Sequence, residues 1–82
     1  MVTVDYDEVF KKTFMKIKDK AKKEQVIKQI SKIKDNPEIG KPMGYGRKNT
    51  RELYVNSYRI SYNYCREEDL IYLLEIYHKD EQ

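Results

Sequence analysis

Val2, Val4 and Tyr6 alternate with Thr3 and Asp5, the period-two pattern that predicts a short strand. From Asp7 the spacing changes. Val9, Phe10, Phe14 and Ile17 recur at helical intervals, and Asp7 can cap the free amides of a first turn. Val26, Ile27, Ile30 and Ile33 repeat the stripe with Lys22, Lys23, Lys28 and Lys32 on the remaining faces, predicting a second amphipathic helix from about Ala21 to Lys34. It must stop before Asn36-Pro37, because a residue preceding proline is pushed out of the helical region. Pro37 to Asn49 holds both prolines and all three glycines and reads as a loop, or a loop with a short irregular strand. Three β-rich stretches follow, Thr50 to Val55, Tyr58 to Cys65 and Leu70 to Tyr77. Asn56-Ser57 and then Arg66 to Asp69 form the turns of an antiparallel meander. The predicted order is β-α-α-β-β-β. This is an α+β domain spanning residues 1–82, with two helices packed on one face of a small, mainly antiparallel sheet.

Alternation along a strand sends successive side chains to opposite faces. Tyr58, Ile60, Tyr62 and Tyr64 are expected to meet the helices, with Arg59, Ser61 and Asn63 on the uncovered face. Leu53 and Val55 point inward, leaving Glu52 and Tyr54 open. In the last strand Glu75 marks the odd positions as outward, so Tyr77 and Lys79 follow it. Arg59, Lys79, Glu52 and Tyr54 should then gather on the open face, with His78 at its edge. The same alternation leaves Ile71, Leu73 and Tyr77 exposed there, an apolar surface that a partner's helix or added strand could cover. A shift of one residue in that strand would swap every side chain. Lys41, Arg47, Lys48 and Arg51, with Tyr45 interleaved, form a basic cluster able to contact phosphates or stack on a base, although a merely solvated loop has the same composition.

Composition narrows the function. Eighty-two residues support one core, and a groove is more plausible than a deep pocket. The apolar fraction is only 39%, yet eight Tyr and two Phe supply the aromatic mass that disordered chains lack. A net charge of +3 is too small for a dedicated nucleic-acid domain, so any polyanion binding must come from local clustering. The lone Cys65 excludes an internal disulfide and a multi-cysteine zinc site, and reads as an inert strand thiol in a reducing compartment. Neither a membrane span nor a signal-peptide layout is present, which predicts a cytoplasmic protein. P-loop, dinucleotide fingerprint, HExxH and calcium-loop patterns are all missing, so ATP chemistry and metal hydrolysis have no support.

The stretches RELYVNSYRISYNY and LIYLLEIYHKDEQ, together with NPEIGKP at Asn36 to Pro42, resemble the RelE/ParE superfamily of bacterial and archaeal toxins over essentially the whole chain. The resemblance implies a toxin of a type II toxin–antitoxin pair, held by a RelB-like antitoxin in a hetero-oligomer. RelE-like members are endoribonucleases that cut mRNA on the ribosome and inhibit translation. ParE-like members share the fold and poison DNA gyrase, and a catalytically inactive relative would be a binding module. The nuclease branch uses no metal or other cofactor: the substrate's own 2′-hydroxyl attacks the neighbouring phosphate. Carried over by position, Arg59 grips the scissile phosphate and Lys79 stabilises developing charge. His78 is a candidate acid or base, Glu52 and Glu81 are further candidates for the base, and Tyr54 could stack on a base. Arg47, Lys48, Arg51 and Lys41 would contact RNA. The chain departs from RelE at Thr50 and Glu52, where RelE carries basic residues, and at Met43, where some relatives carry Glu.

Overall fold

A computed structural model describes residues 2–44, 49–55 and 58–78. Strand β1 (Thr3–Tyr6) leads into helix α1 (Glu8–Lys16), and helix α2 (Lys20–Asp35) follows after a three-residue break. Each helix starts on an aspartate. The Asp7 carboxylate accepts the Val9 amide at 2.9 Å, and that of Asp19 accepts the Ala21 amide at 2.8 Å, satisfying donors that an isolated first turn leaves open. The second cap was not part of the sequence expectation, which began that helix one residue later. Beyond α2 the chain forms β2 (Lys41–Pro42), β3 (Thr50–Val55), β4 (Tyr58–Cys65) and β5 (Leu70–His78). These match the expected irregular strand and meander.

The sheet runs β1-β5-β4-β3-β2, with β1 parallel to β5 and every other pair antiparallel. The helices carry the chain from one sheet edge to the other, and the meander then walks back until its last strand meets the first. Phe10, Val26 and Ile33 from the helices pack with Ile60, Tyr62, Ile71 and Leu73 from the sheet, all essentially inaccessible to water. Burial of each apolar side chain of this size stabilises by about 1.5–3 kcal/mol before conformational entropy is counted.

The last strand corrects the sequence reading. Ser61 pairs with Glu75 but Tyr62 pairs with Leu73, so Leu74 is an extra residue in a β-bulge. Before the bulge the odd positions Ile71 and Leu73 face the helices and are fully buried; after it Ile76 does, while Glu75 and Tyr77 face outward. Neither a uniform alternation nor its one-residue shift describes this strand. The expected apolar partner surface at Ile71 and Leu73 is therefore core. The exposed large apolar side chains of the helical layer are Val9, Met15 and Ile27.

The stretch Asn36 to Pro42 has a structural explanation. Pro37 ends α2, and the buried Tyr62 hydroxyl donates to the Pro37 carbonyl at 2.7 Å while accepting the Gly40 amide at 2.9 Å. A Cβ on Gly40 would sit 2.8 Å from that hydroxyl and 3.0 Å from the Glu52 carbonyl, a close approach that only glycine permits. Tyr62→Phe removes both bonds and leaves a buried amide and carbonyl unpaired. It is expected to cost about 1–3 kcal/mol in urea unfolding, with an unchanged m-value.

Candidate functional site

On the sheet face away from the helices, strand pairing assembles two rows. Lys41, Glu52, Ser61 and Glu75 lie side by side across β2, β3, β4 and β5, and Tyr54, Arg59 and Tyr77 form the next row. Side chains within a row stand about 4.5–5.5 Å apart, and neighbouring rows are within reach of long side chains. The positions therefore create a cluster that no local stretch of sequence contains.

Its centre is the Arg59 guanidinium. One Nη lies 3.7 Å from the Glu52 carboxylate, and its central carbon stands 4.8 Å from the Tyr54 ring centroid, a cation–π distance. The Tyr77 hydroxyl donates a hydrogen bond to the other Glu52 oxygen. Arg59 Nε is buried with no hydrogen-bond partner, so the guanidinium is incompletely satisfied. The Lys41 ammonium lies 5.9 Å from the Tyr54 ring, at the rim. Side-chain exposure of 21% for Arg59 and 15% for Glu52 puts the pair in partial shelter, where charges act more strongly than in open water. Tyr54, 52% exposed, presents a ring beside them.

Burial and the hydrogen bond to Glu52 push the Tyr77 hydroxyl's pKa up from its ordinary value near 10, partly offset by Arg59. Burial raises Tyr62 in the same direction. A phenol whose pKa is higher folded than unfolded holds its proton longer in the native state. Its contribution is thus complete below about pH 10 and is lost as pH rises past that value. Thermal unfolding scans should show a flat midpoint up to about pH 10 and a falling one above it. Ultraviolet titration should place Tyr62 and Tyr77 among the last tyrosines to ionise, and Tyr77→Phe should remove one such group.

The structure brings Glu52, Tyr54 and Arg59 together as the alternation predicts, and the β2–β3 pairing adds Lys41, which the sequence reading places in a loop cluster with Arg47, Lys48 and Arg51. Arg51 lies on the other face, where its guanidinium donates to the Glu38 and Gly40 carbonyls at 3.0 and 2.8 Å and ties down the loop after α2. Position 78 ends β5 opposite Tyr58. The His78 side chain and Lys79, Glu81, Arg47 and Lys48 lie outside the described residues. Tyr77, which sequence reasoning assigned to an apolar partner surface, is instead the hydroxyl that holds Glu52. Its outward alternation with Glu75 was the available signal. Among the described residues, no three His, Cys, Asp or Glu side chains converge as a metal ion would require, and no helix is long and apolar enough to cross a membrane.

The model of the ParE toxin of type II toxin–antitoxin systems matches residues 4–82. The chain belongs to the ParE toxin family. A search of curated proteins with the sequence gives no match. The structure of this ParE-family chain is similar to the isolated Escherichia coli RelE toxin, with TM-score 0.84 and 19% identity, covering 100% of this chain and 88% of that one. It is also similar to the RelE–RelB complex of the archaeon Pyrococcus horikoshii OT3, with TM-score 0.80, 16% identity and coverage of 99% and 98%. For the RelBE2 toxin–antitoxin complex of Mycobacterium tuberculosis the values are 0.82, 19%, 94% and 96%. The fold is thus that of RelE, on a chain whose sequence matches the ParE toxin model.

Proposed function

We propose that this toxin is a ribosome-dependent endoribonuclease that cuts mRNA in the cytoplasm and so inhibits translation. The observation that carries the reading is the sheltered Glu52–Arg59 pair on an open sheet face, with Tyr77 holding the carboxylate and Tyr54 beside the guanidinium. In-line cleavage of RNA by its own 2′-hydroxyl needs a proton acceptor and fixed positive charge. The 2′-oxygen bonds to phosphorus, its proton passes to the Glu52 carboxylate, and the bond to the 5′-oxygen breaks to leave a 2′,3′-cyclic phosphate. Arg59 offers paired donors to the non-bridging oxygens, where negative charge grows. The departing 5′-oxygen takes a proton from an acid, for which His78 is the candidate, with Lys79 as an adjacent cation. Tyr54 stacks on a flanking base, and Lys41 meets the backbone. Glu81, Arg47, Lys48 and Arg51 complete the candidate set, with Arg51 reaching RNA only at the loop edge. A RelB-like antitoxin is the partner this reading expects, and the RelE–RelB and RelBE2 complexes among the similar structures support it.

The match to the ParE toxin model favours a second reading, inhibition of DNA gyrase. Induced expression without antitoxin separates the two. New 5′ ends confined to translated messages are expected for the nuclease, whereas arrested supercoiling with intact message would assign gyrase. Unimpeded growth with soluble, folded protein would overturn both and leave an inactive binding module.

A further inference from the structure

Strand β2 brings Lys41 to the open face, and its two residues have little of their own to hold it there. The pairing with β3 covers only Lys41 opposite Glu52 and Pro42 opposite Arg51, and Pro42 has no amide to give to a ladder. The residue before supplies the fixing. The Gly40 amide donates to the Tyr62 hydroxyl at 2.9 Å, and the Gly40 carbonyl accepts from Arg51 Nη1 at 2.8 Å. Side chains from β4 and β3 thus hold both polar groups of Gly40. The same Nη1 donates to the Glu38 carbonyl at 3.0 Å, and Nη2 stands 3.6 Å from the Glu38 carboxylate. Arg51 alternates with the outward Glu52 and reaches the loop from the helix side of the sheet, where its side chain is only 21% exposed.

The Gly40 carbonyl belongs to the peptide unit that leads into Lys41. That unit is planar and stiff, so whatever pins its oxygen sets the direction in which Lys41 leaves the chain. Lys41 then stands in the row of Glu52, with its ammonium 5.9 Å from the Tyr54 ring centroid. We propose that Arg51 is a positioning residue for the open face. By gripping the Gly40 carbonyl from the helix side, it holds Lys41 beside Tyr54 and so places a cation next to the Glu52–Arg59 pair. The placement rests on this geometry; that the cation then meets an RNA phosphate rests on the nuclease reading. A guanidinium is required for the grip. Its fork serves two carbonyls while facing a carboxylate, whereas a lysine ammonium brings the same charge without the planar set of donors.

The test compares Arg51→Lys, Lys41→Gln and their double variant with the wild type, using the full chain. Arg51→Lys conserves net charge, so an arginine acting only as a point charge predicts no effect. By nuclear magnetic resonance, the wild type should show Overhauser contacts between the Lys41 methylenes and the Tyr54 ring. Arg51→Lys should lose them, and Glu38→Gln, which leaves both carbonyl bonds in place, should keep them. Binding is read by anisotropy of a labelled single-stranded 2′-O-methyl oligoribonucleotide, whose blocked 2′-oxygen prevents cleavage, across a salt series. Lys41→Gln should flatten the slope of log K against log salt by about 0.7, the value of one single-strand phosphate contact. Arg51→Lys should flatten it by as much, and the double variant no further, because both changes remove the same contact. Circular dichroism and urea melts accompany each variant. Lys41–Tyr54 contacts that survive in Arg51→Lys, or that are missing from the wild type, overturn the positioning role, and so do slope losses that add in the double variant. A measurement on the wild type alone also decides: the Arg51 Nη protons should exchange slowly with water, and rapid exchange overturns the grip whatever a variant does to folding. The nuclease reading fails separately, if the wild type leaves ribosome-bound message uncut while these contacts stand.

Discussion

Replacing Arg59 with alanine is expected to abolish growth arrest and to slow cleavage of ribosome-bound message by about a hundred- to a thousandfold, the usual cost of removing one charge-stabilising donor from a transition state. The protein should stay folded. Arg59 lies on the uncovered face, its ion pair with Glu52 is long at 3.7 Å, and Glu52 keeps the Tyr77 hydroxyl as a donor when the guanidinium is gone. The lost contact with Tyr54 is worth only about 0.5–1 kcal/mol. Arg59→Lys retains the charge without the planar fork and should fall between the two. Single-turnover cleavage on purified programmed ribosomes, beside a urea melt of each variant, separates chemistry from folding. Undiminished cleavage by well-folded Arg59→Ala would remove the open-face cluster from the mechanism.

Leu73→Ala is expected to destabilise the fold by roughly 2–5 kcal/mol, a large part of the 5–15 kcal/mol that a small domain has in total. Leu73 is fully buried on the helix side of the sheet, between Tyr6 on β1 and Tyr62 on β4 in the pairing register. Glu75→Ala, two positions on and facing solvent, should stay within about 0.5 kcal/mol of the wild type. Urea denaturation of the two variants tests the bulge directly. In an unbroken strand, residues 73 and 75 would share a face. Comparable midpoints for both variants would mean that they do, and that Leu74 is not the inserted residue.

Most of the architecture is determined locally. The 3.6-residue stripes of Phe10, Phe14 and Ile17 and of Val26, Ile30 and Ile33 are sufficient to specify two amphipathic helices, because one face of each must leave water whatever it packs on. Pro37 stops the second helix through its own ring, and the period-two run through Tyr58, Ile60 and Tyr62 sets the inner face of β4. The same alternation on β3 and β4 makes the meeting of Glu52, Tyr54 and Arg59 legible. Three features were decided only by tertiary structure. The parallel pairing of β1 with β5 depends on where two segments separated by more than sixty residues come to rest. The bulge at Leu74 is silent in sequence, since Leu73, Leu74 and Ile76 are all apolar and only the β4 partner register selects which of them face the helices. Arg51 and Arg59 are both strand arginines next to apolar positions, and they become a loop clamp and a site cation because β3 and β4 present them to opposite faces. Periodicity encodes which side of an element is wet, whereas the neighbour across the ladder is a property of the assembled sheet.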